Sequence, residues 1–194
     1  MVDGLTLTRA DTQTELRENV GRLVRENIPG AFVECGVYRG GSMVIIARTL
    51  LELGAGDRDL LLYDTFAGMP LSGPEDGRDA QALFVGGELA CSQEEVLNNL
   101  AATGYDVWRV HLIEGRVEDT LPFHLPAGIA LLRLDTDWYA STRAELEYLY
   151  PSLYPGGCLI VDDYGAWPGC KQAVDEYFGR AFNVPDDSVL VFWK

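Results

Sequence analysis

Four aspartates stand in two pairs, Asp135 with Asp137 and Asp162 with Asp163. Each pair closes an apolar run: Ile129–Leu134 is broken only by Arg133, and Cys158–Val161 is unbroken. Such runs read as strands buried on both faces of a sheet. A helical stretch lies between them, with Thr142 and Glu145 spaced as a capping box and Leu146, Leu149 and Tyr150 on one face. Gly156 and Gly157 then read as the turn into the second strand. In a strand–helix–strand unit the strands run parallel, so all four carboxylates reach one edge of the sheet. Open α/β sheets bind their ligands at that edge. Crowded like charges raise one another's pKa or demand a cation. Arg143, inside the helix, is the only basic residue between Asp135 and Asp163. A hard divalent ion with oxygen ligands, Mg²⁺ or Ca²⁺, is therefore the expected counter-charge. One aspartate alone would be read as a helix cap; four at two strand ends point to a metal.

The elements that must position these residues follow in order. Thr12 and Glu15 have capping-box spacing before Leu16, Val20, Leu23 and Val24, and Pro29-Gly30 ends that helix. Ala31–Cys35 reads as the first strand and runs into GVYRGGS, residues 36–42, before an apolar helix from Met43 to Leu53. Leu60–Tyr63 is a second strand ending in Asp64. Residues 65–92 lose periodicity and become rich in glycine, proline and acid, as a functional lid or a disordered loop would. Ser92 and Glu95 cap a further helix, and Val107–Ile113 is a third strand. A helix is expected from Pro168 to Phe182, and then a hairpin of Phe182–Val184 with Val189–Trp193. Strand and helix alternate without repeat or linker. The expectation is one domain over residues 1–194: a doubly wound, Rossmann-like, mostly parallel α/β sheet with a C-terminal antiparallel hairpin.

Composition narrows the partners. Fifteen basic against thirty acidic residues give a formal charge of −15, which disfavours nucleic acid and anionic membrane surfaces alike. No apolar run reaches membrane-spanning length, and no signal-peptide pattern opens the chain. The four cysteines lack metal spacing and read as reduced core thiols, consistent with a cytoplasmic protein. Glycines 36, 40 and 41 would let a ligand approach the backbone, although a tight structural turn would use them too. Asp64 sits where an acid accepts hydrogen bonds from ribose hydroxyls in nucleotide-binding sheets. Arg39 could meet a carboxylate or phosphate, or lie on the surface. His111 and His124 read as structural, since neither falls at a strand's C-terminal end.

The stretches FVECGVYRGGS, LYDTFAGMP, RLDTDWYAST and LIVDDYGAWPGCKQAVDEY together resemble the TylF/MycF-type (macrocin) O-methyltransferases. That resemblance runs from about Ala31 to the end of the chain. It implies a class I methyltransferase fold, S-adenosylmethionine and Mg²⁺ as cofactors, and a sugar hydroxyl of a natural product as acceptor. By the same resemblance Glu34, Gly36, Gly40 and Ser42 line the methionine part of the cofactor, and Asp64 takes the ribose. Asp135, Asp162 and Asp163 match the metal ligands, and Asp135 also matches a general base. Asp137 matches no ligand. Family members commonly carry further substrate-covering helices at the N-terminus, where this chain offers one helix.

The expected partner is a small-molecule hydroxyl acceptor, and the sequence leaves a homo-oligomer open. A sulfonium methyl is already electrophilic, so the protein must position and deprotonate an alcohol. A metal binding two vicinal oxygens would acidify one, and a carboxylate would accept its proton. A catechol-type methyltransferase would use the same parts on an aromatic diol. A nicotinamide reductase would share the sheet, but the glycine spacing and the acidic pairs argue against it. A non-catalytic protein that kept the cofactor site is the alternative of a different kind.

Overall fold

The computed structural model describes residues 2, 4–83 and 86–194. Six strands form one sheet: β1 (Ala31–Cys35), β2 (Leu60–Asp64), β3 (Val110–Glu114), β4 (Ile129–Leu134), β5 (Leu153–Val161) and β6 (Leu190–Trp193). Their order is β3-β2-β1-β4-β5-β6, with β1 to β5 parallel and β6 antiparallel to β5. The chain starts in the middle, winds outward to β3, then returns to β4 on the other side of β1. The C-terminal ends of β1 and β4 therefore flank the point where strand order reverses, the natural ligand crevice of such a sheet.

Helices cover both faces: α1 (Ala10–Arg25), α2 (Gly41–Glu52) and α4 (Gln93–Ala101) on one, α5 (Val117–Thr120), α6 (Tyr139–Tyr148) and α7 (Pro168–Phe178) on the other. Strand alternation divides the core accordingly. Phe32, Leu131 and Cys158 face the first layer, while Val33, Leu132 and Leu159 face the second. The same alternation sends Glu34 and Arg133, cross-strand neighbours in the β1–β4 register, toward the α1–α2 side.

Several expected boundaries move. Thr12 and Thr142 do not cap helices: α1 starts at Ala10 and α6 at Tyr139, so both threonines lie inside. Ser92 does cap α4, accepting a hydrogen bond from the Glu95 amide at 3.2 Å. Gly156 and Gly157 lie within β5, where Gly156 takes φ +82° and donates its N–H to the Lys194 carbonyl at 2.8 Å; they form an irregularity in the strand, not a turn into it. Residues 107–109 form a 3₁₀ turn ahead of β3. α7 stops at Phe178 because Gly179 adopts the left-handed conformation, φ 64°. The C-terminal antiparallel pair exists, but β6 pairs with β5, and residues 182–184 form no strand. Phe182 instead packs edge-on against Phe178 and Phe192.

The segment 65–92 is not wholly irregular, since it carries a 3₁₀ turn (Pro74–Asp76) and the helix α3 (Gly77–Leu83); residues 84 and 85 lie outside the described residues. Met69 pairs by backbone with Glu88 at 2.7 Å and with Gly87 at 2.9 Å. Buried Asp76 pins the segment to the sheet's edge, accepting hydrogen bonds from the Tyr139 amide at 2.7 Å and the Gly73 amide at 2.6 Å. No described helix is long and apolar enough to cross a membrane. All four cysteines are buried and unpaired.

Candidate active site

The first strand ends at Gly36, whose φ is +80°. A Cβ there would overlap the carbonyl of Asp135, so only glycine lets the ends of β1 and β4 touch. The next two amides, of Val37 and Tyr38, donate to Asp64 Oδ2 at 2.6 and 3.1 Å, and the Phe66 amide donates to Oδ1 at 2.8 Å. The Thr65 hydroxyl also donates to Oδ1, at 3.5 Å, so Asp64 is a clamp that shapes the glycine turn at the wall of the crevice. Gly40 takes φ +80° as the residue preceding α2 and does not line the crevice; its glycine serves the turn. Gly41 makes room for the chain itself. A Cβ there would meet Thr6 Cβ at 2.6 Å and the Leu5 carbonyl oxygen at 2.7 Å. Arg39 lies outside the crevice, pairing with Glu95 at 3.0 Å and donating to the Gly4 carbonyl at 3.1 Å.

Glu34, Gly36, Ser42, Asp64, Asp135, Asp162 and Asp163 all line one cleft of ≈ 320 Å³ at the switch point. Its walls come from three sources. Residues 5–8 cross in front of α2, residues Thr65, Met69, Pro70 and Leu89 close a second side, and Gly115 to Glu118 close the end beyond β3. His111 and His124 do not line it.

The acidic end holds the main departure from expectation. Arg133, which interrupts the apolar run of β4, is buried there as an internal cation. Its Nη1 donates to Glu34 Oε1 at 2.9 Å and to Asp135 Oδ2; its Nη2 donates to Asp162 Oδ1 at 2.6 Å and to Thr8 Oγ1 at 3.3 Å. Burial opposes the arginine's charge, but Asp135, Asp162 and Glu34 outweigh it and hold the guanidinium well above its usual pKa. Burial likewise pushes Glu34 up to about 7 against the pull of Arg133. The expectation that no basic side chain could serve the acidic pairs is therefore corrected. The signal was present in the sequence: two residues apart on a strand, Arg133 and Asp135 must share a face.

Asp135, Asp137 and Asp163 bring one carboxylate oxygen each within 4.8 Å of one another. Asp163 Oδ2 is buried without a hydrogen-bond partner. Burial, then the Asp137 and Asp135 charges, raise the Asp163 carboxyl well above its ordinary pKa; burial raises Asp137 too. Asp137 takes φ +66°, a left-handed conformation that aspartate tolerates better than most residues. Between them Thr136 donates its hydroxyl to buried Glu145 Oε1 at 2.9 Å, and its carbonyl accepts from the Trp138 amide at 2.7 Å. Glu145, expected as a capping partner, is instead an anchor under the acidic turn, and no spacing rule could have shown it. An orphaned buried oxygen among hard carboxylate donors fits a hard divalent cation.

The sheet order, the glycine turn after its first strand and the acids at the reversal of strand order are those of the class I methyltransferase fold, which the similar solved structures share. The chain belongs to the macrocin O-methyltransferase (TylF) family, whose model matches residues 3–193. It is accordingly an S-adenosylmethionine-dependent O-methyltransferase. It is 37% identical over 190 residues to demethyldecarbamoylnovobiocin O-methyltransferase of Streptomyces niveus, covering 92% of this chain and 71% of that one. It is 36% identical over 183 residues to 8-demethyl-8-(2,3-dimethoxy-alpha-L-rhamnosyl)-tetracenomycin-C 4'-O-methyltransferase of Streptomyces olivaceus, covering 90% and 69%. The structure of the O-methyltransferase NovP superposes with a TM-score of 0.86 at 32% identity, over 99% of this chain and 83% of that one.

Proposed function

We propose that this enzyme methylates a sugar hydroxyl, one of a vicinal pair, on a glycosylated natural product, with Mg²⁺ at the acidic end of the cleft. The supporting observation is the meeting of Asp135, Asp137 and Asp163 within 4.8 Å in the same cleft as the glycine turn. Names of relatives at 36–37% identity, one of them acting on a rhamnosyl tetracenomycin, agree with a sugar acceptor. Glu34, Gly36 and Ser42 would border the methionine end of the cofactor and Asp64 its ribose, with Gly40 holding the turn. Bound there, the cofactor supplies an electrophilic methyl group. Asp135 and Asp163 with Asp162 would hold Mg²⁺, which supplies Lewis acidity to an acceptor oxygen. The chain's own task is to aim the hydroxyl at the methyl carbon and to take its proton.

Asp135 is the proton acceptor that family resemblance suggests. One observation favours Asp137: Asp135 Oδ2 is engaged by Arg133, whereas among the described residues no basic side chain pairs with Asp137. If Asp135 is the acceptor, Asp137 replaces Asp162 as the third ligand, since Asp137 meets Asp135 and Asp163 within 4.8 Å while Asp162 Oδ1 is taken by Arg133 at 2.6 Å.

The test is an acceptor screen with S-adenosylmethionine, reading S-adenosylhomocysteine and methylated product by mass spectrometry, with Mg²⁺ or EDTA. Neutral glycosides bearing free vicinal hydroxyls should turn over, EDTA should abolish turnover, and Asp163→Asn should resist rescue by Mg²⁺. Turnover of catechols alone, or full activity in EDTA, would overturn the reading. In the same assay the base is the aspartate, 135 or 137, whose Asn variant loses about 10²-fold or more in kcat while still responding to metal.

A further inference from the structure

The acidic end of the cleft gathers Glu34, Asp135, Asp137, Asp162 and Asp163. Among the described residues the basic side chain that pairs with them is Arg133, and it is tied to three of the five. Arg133 is 2% exposed and Glu34 1%, whereas Asp135 and Asp162 remain 29% and 22% exposed toward the cleft. The arginine thus approaches the carboxylates from beneath, leaving their outer oxygens to the cleft. We propose that Arg133 is the site's resident counter-cation, a positioning residue that holds Asp135 and Asp162 together without metal and competes with metal for them.

The backbone makes this arrangement specific. Glu34 and Arg133 are register partners on adjacent parallel strands, and Asp135 follows just past the end of β4, its amide still bonded to the Cys35 carbonyl at 2.9 Å. A planar guanidinium with several fixed N–H donors can serve three carboxylates at once, which a lysine ammonium on a flexible stem cannot do with the same geometry. Every bond Arg133 gives to Asp135 or Asp162 withdraws electron density that a divalent ion would otherwise receive. Its positive charge also raises the local potential that an incoming cation meets. Affinity for metal is therefore set below what the five carboxylates alone would give. In return the empty site does not fly apart by like-charge repulsion. Through Thr8 the same side chain reaches the segment that walls the cleft.

This inference rests on the reading that the cleft takes Mg²⁺, and the experiment separates the two. Mg²⁺ alone, without cofactor or acceptor, is titrated by calorimetry and by its effect on the melting temperature. The proteins compared are the wild type, Arg133→Lys, and the double variant Arg133→Met/Glu34→Gln. The second substitution removes the carboxylate that loss of the arginine would strand in the core, so the double variant keeps its fold. Expected is a lower melting temperature in EDTA for both variants, with a larger Mg²⁺-induced rise than in the wild type. Mg²⁺ affinity should be about tenfold or more higher in the double variant and intermediate in Arg133→Lys. A merely structural arginine would lower the melting temperature and leave the metal response unchanged; that result, or a weaker response, overturns the inference and spares the metal reading. No response to Mg²⁺ in the wild type overturns the metal reading, and this inference with it.

Discussion

At the scale of single residues, two positions carry consequences that can be measured without any substrate. Gly36 combines a left-handed backbone with a contact that leaves no room for a methyl group beside the Asp135 carbonyl. Gly36→Ala is expected to cost roughly 3 kcal/mol or more in chemical denaturation, by strain and displacement together. Gly54 has a similar φ of +71° but nothing within 4 Å of its missing Cβ, so Gly54→Ala should cost only about 1–2 kcal/mol. Equal losses in the two variants would mean that the β1–β4 contact is not tight. The second position is Glu145, which burial pushes up to about 8. In the unfolded chain a glutamate titrates near about 4.3. Between those values the folded protein keeps a proton that the unfolded chain has released. Stability is at its full value below the lower pKa and declines as pH rises toward the upper one, by at most about 1.4 kcal/mol per pH unit. Glu34, pushed up to about 7, adds a slope of the same sign. Glu145→Gln can still accept the Thr136 hydroxyl but cannot titrate. Its melting temperature should therefore fall less between pH 5 and pH 8 than that of the wild type, and parallel profiles would count against a buried neutral carboxyl.

At the scale of elements, the segment 65–92 hangs on Asp76. Asp76→Ala frees the Tyr139 amide at the start of α6 and should cost about 1–2 kcal/mol. Its local signature is faster hydrogen exchange in residues 65–92, with the central strands unaffected; uniform acceleration would show that the segment is not an independently opening unit. The strands and their acidic ends were legible in sequence because a short, continuous apolar run with an abrupt polar stop suits a buried strand that reaches the sheet's edge and little else. The helix starts were less so. Thr12 and Thr142 have the spacing of a capping box but occur within helices, since a threonine three residues before a glutamate also suits a helix interior. Tertiary partners, Glu145 beneath Thr136 among them, leave no local trace. The C-terminal antiparallel strand was legible, but its partner was not: β5 offers an open edge, while Phe182 is committed to an aromatic cluster. The most instructive miss is Arg133. It was visible as a break in an apolar run, and strand alternation alone places it on the face of Asp135.

At the scale of the whole molecule, thirty acidic residues against fifteen basic ones repel one another in the compact state. Raising potassium chloride from about 0.02 to 0.2 M shortens the Debye length from roughly 20 to under 10 Å and should raise the melting temperature. A fall with salt would mean that surface ion pairs such as Arg17–Glu52 at 2.5 Å outweigh the net repulsion.

The cleft's floor and its walls come from different kinds of chain. The floor is made of strand ends locked by the Gly36–Asp135 contact and by the Arg133 bonds, and it cannot drift without unfolding the sheet's centre. Two of the three walls, residues 5–8 and the group Thr65, Gly68, Met69, Pro70 and Leu89, belong to no strand of the sheet. For protein engineering this makes the molecule a chassis with two exchangeable panels. Grafting those two segments from a relative, with Thr8 kept as the host's bond to Arg133, should move acceptor preference while leaving cofactor affinity at the host's value.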